Sequence, residues 1–151
     1  MANTLPTDPA ARLFSATPAN DPPPVPDYNI CPTQTVAVVT AEATACCADA
    51  LGLRSRHWVQ EPDRFRSLLI NAHSETVAEK PAFRAAVRER RCLVPVSGFY
   101  EWHRTKEAKL PWYASRSDGT PPVLGGSGQD WGEDGLPTLA ILTTAANWRW
   151  R

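Results

Sequence analysis

A single carboxylate, Glu101, stands among aromatic residues in the sequence FYEW, residues 99–102. Side chains alternate between the two faces of a strand, so Glu101 shares its face with Phe99, whereas Tyr100 and Trp102 point the other way. Aromatic rings limit the hydration of a neighbouring carboxylate, and a poorly hydrated carboxyl group is suited to general acid or base catalysis. A half-exposed strand with one solvated glutamate is the more common origin of this pattern. The spacing alone leaves both interpretations open.

A second candidate residue, Asn71, follows a short apolar run. Residues 67–70, SLLI, predict a buried strand that ends where Asn71 begins a polar cluster. Catalytic and binding groups often lie where a rigid strand gives way to a loop. Asn71 and Glu101 are therefore the two residues for which we expect a chemical role.

The elements that must position these residues are mostly strands. Pro81 suits the first turn of one short helix, and Phe83 and Val87 lie four residues apart on one of its faces. Strands are predicted over residues 34–40, 67–70, 92–96, 99–103, 112–115, 122–124 and 138–144. Residues 41–50 have no clear period, and the glycine-rich residues 125–135 predict a flexible connection. Alternating strands with few helices indicate a mainly antiparallel α+β domain.

Composition limits the classes of function. A chain of 151 residues predicts one domain, 1–151, and its 16 basic and 16 acidic residues create no overall field that attracts nucleic acid. The four cysteines form no CxxC pair and have no histidine at ligand spacing, so we expect no metal and no cofactor. They fit a reducing, cytoplasmic setting. No apolar run is long enough for a membrane span. The Gly-Ser-Gly at 126–128 lacks the full GxSxG motif of a serine nucleophile.

Five sequence blocks occur together in a characteristic order. They are YNICPTQ from Tyr28, LLINAHSETVAEKPAF from Leu68, RRCLVPVSGFYEW from Arg90, LPWY from Leu110 and ILTTAAN from Ile141. In this order they closely resemble the SOS response-associated peptidase family, or SRAP domain, over nearly the whole chain. The NAxxET and GFYEW blocks are the specific ones, because a helix of the expected length separates them.

The resemblance implies a distorted barrel-like sheet with a few flanking helices and a groove for DNA. It also implies a monomeric sensor of abasic sites in single-stranded DNA. Family members expose an N-terminal cysteine, whose amine condenses with the aldehyde of the abasic site. Its thiol then closes a thiazolidine ring, which leaves a stable DNA–protein crosslink over the lesion. Only a terminal cysteine places a free amine and a thiol on neighbouring carbons, and the terminal amine is less basic than that of lysine.

The resemblance also assigns roles to individual positions. Asn71 matches the asparagine that orients the amine or the opened sugar, and Glu101 matches the glutamate that shuttles protons during imine formation. Other positions match family contacts to the DNA backbone or to an unstacked base: Pro32, Trp58, Trp102 and Thr143. Aromatic side chains stack on bases without sequence preference.

The two ends of the chain depart from the family pattern. Family members open with Met-Cys-Gly-Arg-Phe, whereas this chain opens with Met1 and Ala2. An amine at Ala2 without a thiol supports a reversible imine but no thiazolidine. The histidine that follows the TTAAN block in family members has no match among His57, His73 and His103. We therefore expect one SRAP-like domain that lacks the N-terminal cysteine and C-terminal histidine segments, and we expect impaired crosslinking.

Two departures lie inside the chain. His73 stands where the family has a phosphate-binding arginine, and a neutral histidine would weaken that contact because arginine is always charged and bidentate. Residues 125–127, Gly-Gly-Ser, stand where the family has a Gly-Leu-Trp strand, so weaker core packing is expected there. Three alternatives remain: a non-catalytic module that binds single-stranded DNA, an inactive fragment, and a thiol peptidase. The last needs a Cys–His pair that the sequence does not supply.

Overall fold

The computed structural model describes residues 1–5, 12–18, 24–40, 45–51, 69–105, 107–131, 133 and 135–145. Within these ranges residues 12–13 are helical, and nine strands and a further helix have defined bounds. They are β1 Thr17–Pro18, β2 Thr35–Thr40, β3 Ala45–Leu51, β4 Asn71–His73, α1 Arg84–Glu89, β5 Arg91–Pro95, β6 Phe99–Arg104, β7 Lys109–Ala114, β8 Val123–Trp131 and β9 Leu136–Thr143. The prediction of a mostly β protein with few helices is confirmed. No helix in the described ranges is both long and apolar enough to cross a membrane.

Seven of the strands form one mixed sheet in the order β1-β3-β2-β5-β8-β9-β4. Neighbours from β3 to β9 along this order pair antiparallel. The pairs β1–β3, β3–β9 and β4–β9 are parallel. Parallel partners need a long connection rather than a tight turn, and β4 and β9 lie far apart in the sequence. Strands β6 and β7 pair antiparallel as a separate two-stranded sheet.

Hydrophobic residues on the two faces of β9 pack into two different clusters. Leu139 and Ile141 belong to the larger cluster, whereas Ala140 belongs to the smaller one, because successive side chains on a strand alternate. The other buried members of the larger cluster are Ile30, Val36, Val38, Cys92, Val94 and Val96. The smaller cluster joins Ala140 to Ala72, Val77 and Phe83. Phe83 directly precedes α1 and Val87 of α1 packs against the same cluster, so the start of the helix lies on the side of the sheet opposite the larger cluster.

The glycine-rich residues 125–135 were expected to be flexible, and that prediction is wrong for the part that forms β8. β8 lies between β5 and β9. A Cβ on Gly126 would lie 3.0 Å from the Cys92 sulfur and 3.3 Å from the Ala140 carbonyl oxygen. The small residue allows the neighbouring strands to approach closely, so here glycine serves packing rather than a flexible connection.

Three other parts of the sequence prediction differ from the structure. Residues 41–50 have no clear sequence period, yet 45–51 form β3, which pairs with β2 over five residues. The predicted strand 67–70 lies partly outside the described residues, and β4 begins one residue later, at Asn71. The helix is found where it was expected, but Pro81 lies in the turn before α1 rather than in its first turn.

The first residues of the chain run as an extended segment between two other parts of the molecule. The backbone bonds are Ala2 N–H to Gly98 O at 2.9 Å, Ser97 N–H to Ala2 O at 2.9 Å, Asn3 N–H to Asp27 O at 2.7 Å, Asp27 N–H to Asn3 O at 2.8 Å and Ile30 N–H to Met1 O at 2.8 Å. Ala2 is only 1% exposed. The residues just before β6 are thereby tied to the segment around residue 30.

Candidate functional site

Strands β4 and β9 bring three of the predicted site residues together. The parallel register aligns Asn71 with Ile141 and His73 with Thr143. Asn71 and His73 are exposed, Ala72 between them is buried, and Thr143 is half-buried. We call Asn71, His73 and Thr143 the polar edge, because β4 is the last strand of the sheet.

The carboxylate of Glu75 holds the chain that leaves the polar edge. Its Oε1 accepts hydrogen bonds from the Thr144 hydroxyl at 2.7 Å and from the Ala145 backbone N–H at 3.0 Å. These bonds, led by the one from Thr144, lower the pKa of Glu75 from 4.5 to about 2. Sequence reasoning missed this function of Glu75. The sequence feature that could have revealed it is an acidic residue just after β4, where polar side chains meet a loop.

The hairpin formed by β6 and β7 carries Glu101 and Trp102. The register places Glu101 opposite Trp112 and Tyr100 opposite Tyr113. Trp102 and Trp112 are 60% and 61% exposed, which is unusual for the largest aromatic side chain. Because the side chains alternate, Trp102 and Tyr100 lie on one face of the hairpin and Trp112 on the other. We call residues 99–114 the aromatic hairpin.

Glu101 lies in a more hydrated position than its aromatic neighbours suggested. Its side chain is exposed. Of the two interpretations that the sequence left open, the structure matches the strand with a solvated glutamate. The physical reason is that the described residues 100–104 and 109–113 of β6 and β7 are all exposed, so neither face of this part of the aromatic hairpin is covered by another layer. A catalytic function of Glu101 stays a prediction.

Contacts near the base of the aromatic hairpin fix its position. The Tyr100 hydroxyl donates to the Tyr28 carbonyl at 3.1 Å. Gly98 is buried beneath the Tyr113 ring, where an added Cβ would collide with that ring and lie 2.6 Å from the Ala114 carbonyl oxygen. The hairpin is therefore held against the segment that leads to Pro32, which is itself exposed in a turn.

The polar edge and the first residues of the chain adjoin the same part of the core. Met1 and Ile70 both pack against the larger hydrophobic cluster, and Ile70 directly precedes Asn71. Ala2 in turn pairs with Gly98 at the base of the aromatic hairpin. The structure thus groups Asn71, His73 and Thr143 on one edge and places Glu101 and Trp102 on a separate hairpin. Trp58 lies outside the described residues.

The fold of this chain is shared with other β proteins whose structures are solved. A protein from Bordetella bronchiseptica superposes with a TM-score of 0.78 at 20% identity, over 96% of this chain and 72% of that one. A protein from Bacteroides thetaiotaomicron superposes with a TM-score of 0.68 at 26% identity, over 76% of this chain and 52% of that one. The sequence profile described as SOS response associated peptidase (SRAP) matches residues 1–151. The chain belongs to the SRAP family, which confirms the resemblance found in its sequence.

Several relatives carry names that state a function. The abasic site processing protein YoaM of Bacillus subtilis is 30% identical over 128 residues, which cover 81% of this chain and 56% of YoaM. The abasic site processing protein YedK of Escherichia coli is 28% identical over 84% of this chain and 56% of YedK. The abasic site processing protein HMCES of Xenopus tropicalis is 37% identical over 56% of this chain and 27% of HMCES. The chain spans about half the length of the two bacterial relatives.

Proposed function

We propose that this protein recognises and processes abasic sites in single-stranded DNA. The observation that carries the proposal is the aromatic hairpin, whose two exposed tryptophans are available to stack on bases, in a chain of the SRAP family. Stacking of an aromatic side chain on a base contributes about 1–3 kcal/mol and tolerates any sequence. Arg104 and Lys109, opposite each other at the far end of the hairpin, add positive charge for the DNA backbone.

The proposed DNA contacts begin at the face of the hairpin that carries Trp102. Trp102 shares its face with Tyr100, which is bonded to the Tyr28 carbonyl, so this face is turned toward the segment that carries Pro32. We propose that an unstacked base lies against Trp102 and Pro32. The phosphates that follow contact His73 and Thr143 on the polar edge. Trp58 is proposed as a further contact from its position in the sequence.

Two residues are proposed to act on the sugar of the abasic site. Asn71 directs its amide toward the opened sugar from the polar edge, and Glu101 exchanges protons with the carbinolamine and the imine. In the family reaction an amine adds to the C1 aldehyde and a water molecule leaves, which gives the imine. A neighbouring thiol then adds to the imine carbon and closes the ring.

A second function, non-covalent shielding of the lesion, is favoured by the two exposed tryptophans of the aromatic hairpin, because stacking on bases requires no covalent bond to the DNA. On this hypothesis the aromatic hairpin and the polar edge bind DNA without forming a bond.

One experiment separates the two functions. The protein is incubated with a labelled single-stranded oligonucleotide that carries an abasic site, with and without borohydride, which reduces an imine to a stable secondary amine. A heat-stable adduct without reductant supports the covalent function, and binding without any adduct supports shielding. An adduct only with borohydride indicates a reversible imine. Failure to bind both the abasic and the undamaged strand would refute the proposed function.

The proposed function also includes the shape of the sheet, the oligomeric state and the preference for single-stranded DNA. β3 also pairs with β9, through Ala50 with Thr138 and Leu51 with Leu139, and this pairing supports a barrel-like arrangement of the sheet. We propose that the protein acts as a monomer in the cytoplasm, on single-stranded rather than duplex DNA. Light scattering with and without DNA tests the monomer, and anisotropy with matched single and double strands tests the preference.

A further inference from the structure

Glu75 is an acidic residue beside the proposed DNA-binding surface, where its negative charge does not favour DNA binding. It lies two residues after His73 and is exposed, and DNA phosphates repel a carboxylate. A carboxylate at this position needs another reason, and its hydrogen bonds supply one. Both bonds join Glu75 to residues that are distant in sequence, Thr144 and Ala145, which lie 69 and 70 residues further along the chain.

The bonds of Glu75 constrain the residues around Thr143 from both sides. The Ser74 N–H donates to the Thr143 carbonyl at 2.8 Å, and the next two residues are bound by the carboxylate of Glu75. The hydroxyl of Thr143 itself makes only a 3.5 Å contact with the Ala72 carbonyl, which is too long for a strong hydrogen bond. The backbone of Thr143 is therefore fixed while its hydroxyl stays available to a ligand.

We propose that Glu75 is a positioning residue for DNA binding, which holds the chain after β9 so that Thr143 meets a phosphate oxygen. The inference rests on the proposed function, because it names the device that shapes the polar edge. The low pKa of Glu75 is consistent with it, since the carboxylate stays charged and accepts both bonds over the whole physiological range.

Substitution of Glu75 tests the proposal through the sign of its effect. Glu75→Ala removes a negative charge near the DNA and also releases Thr144 and Ala145. If the charge were all that mattered, affinity for an abasic single strand would rise. Positioning predicts that affinity falls by about three- to tenfold, as for one or two lost hydrogen bonds. Glu75→Gln keeps an acceptor oxygen without the charge, so it is expected to restore the affinity.

Glu79 offers a matched control in the same segment. It is exposed and lies four residues further on, so Glu79→Ala removes an equal charge without releasing the chain after β9. We expect unchanged or slightly tighter DNA binding. Thr144→Val keeps the carboxylate and removes one of its two bonds, and it is expected to weaken binding less than Glu75→Ala. It also tests the proposal if Glu75→Ala fails to fold.

A double-mutant cycle distinguishes positioning from general stability. If Glu75 acts through Thr143, the losses of affinity from Glu75→Ala and Thr143→Val are not additive, whereas a purely structural effect adds. Hydrogen exchange of the Ala145 amide gives a readout without DNA and should be faster in Glu75→Ala. Unchanged affinity in Glu75→Ala, with a wild type that binds, overturns the inference. A wild type that does not bind overturns the proposed function, and unchanged Ala145 exchange overturns the positioning separately.

Discussion

Substitution of Gly98 by alanine is expected to damage the base of the aromatic hairpin. The added Cβ would collide with the Tyr113 ring and lie 2.6 Å from the Ala114 carbonyl oxygen. The ring can turn away, but the carbonyl belongs to a backbone that is held in the β6–β7 ladder. Overpacking of this kind costs about 1–3 kcal/mol, and we expect the upper half of that range because a backbone atom is involved.

The change should also affect binding. To relieve the collision the start of β6 must move away from Ala114, which disturbs the bond from the Ala2 N–H to the Gly98 carbonyl. Movement of β6 also weakens the bond from the Tyr100 hydroxyl to the Tyr28 carbonyl, which holds the hairpin that carries Trp102. We expect weaker binding of single-stranded DNA, measured by anisotropy, together with a lower urea midpoint.

Gly125→Ala is the matched control for Gly98→Ala. The same added methyl group would lie 3.4 Å from the Leu142 side chain, which is an ordinary van der Waals contact. Urea unfolding of the three proteins, followed by tryptophan fluorescence, should place Gly125→Ala close to the wild type. A loss of stability in Gly98→Ala no greater than in Gly125→Ala would refute the collision as the reason for glycine at this position.

Three further predictions concern the polar edge and the hairpin. Trp102→Ala should weaken the binding of single-stranded DNA by about 1–3 kcal/mol, measured by anisotropy, with little change in stability because the side chain is 60% exposed. His73→Arg should tighten binding and steepen its salt dependence, since an added permanent charge contacts phosphate; an unchanged salt slope would contradict this contact. The pKa of Glu75 is lowered to about 2, so its charged form stabilises the fold fully above pH 4.5, and this contribution is lost as the pH falls toward 2. The difference in urea midpoint between wild type and Glu75→Gln should therefore be present at pH 6 and shrink at pH 3, and a constant difference would argue against the hydrogen bonds of Glu75.

Local sequence patterns were sufficient to predict the elements whose side chains follow a clear apolar or β-branched pattern. The predicted strands 34–40 and 138–144 correspond to β2, Thr35–Thr40, and β9, Leu136–Thr143. The helix was found from the spacing of Phe83 and Val87. The start of β8 was predicted as the strand 122–124, whereas its glycine-rich continuation was missed because glycine carries no side-chain pattern. The place of this part in the sheet depends on how closely Cys92 and Ala140 approach it.

The candidate site also has features that the sequence predicts and features that only the structure shows. Its residue types and motifs, including Asn71, Glu101 and Trp102, can be read from the sequence, because chemistry depends on which groups are present and motifs lie within short stretches. The family could be identified from the same stretches. Hydration of Glu101 could not be predicted, because it depends on whether another layer covers the hairpin.

What the sequence determined by itself is the set of strands with a clear apolar pattern, together with the aromatic residues and polar groups, since propensity and alternation act over a few neighbouring residues. Only the tertiary structure decided that His73 lies beside Thr143 and that Glu75 binds Thr144. Those partners are about 70 residues apart and meet through a parallel pairing of β4 with β9. The register of such a pairing depends on packing across the whole sheet, which no local pattern contains.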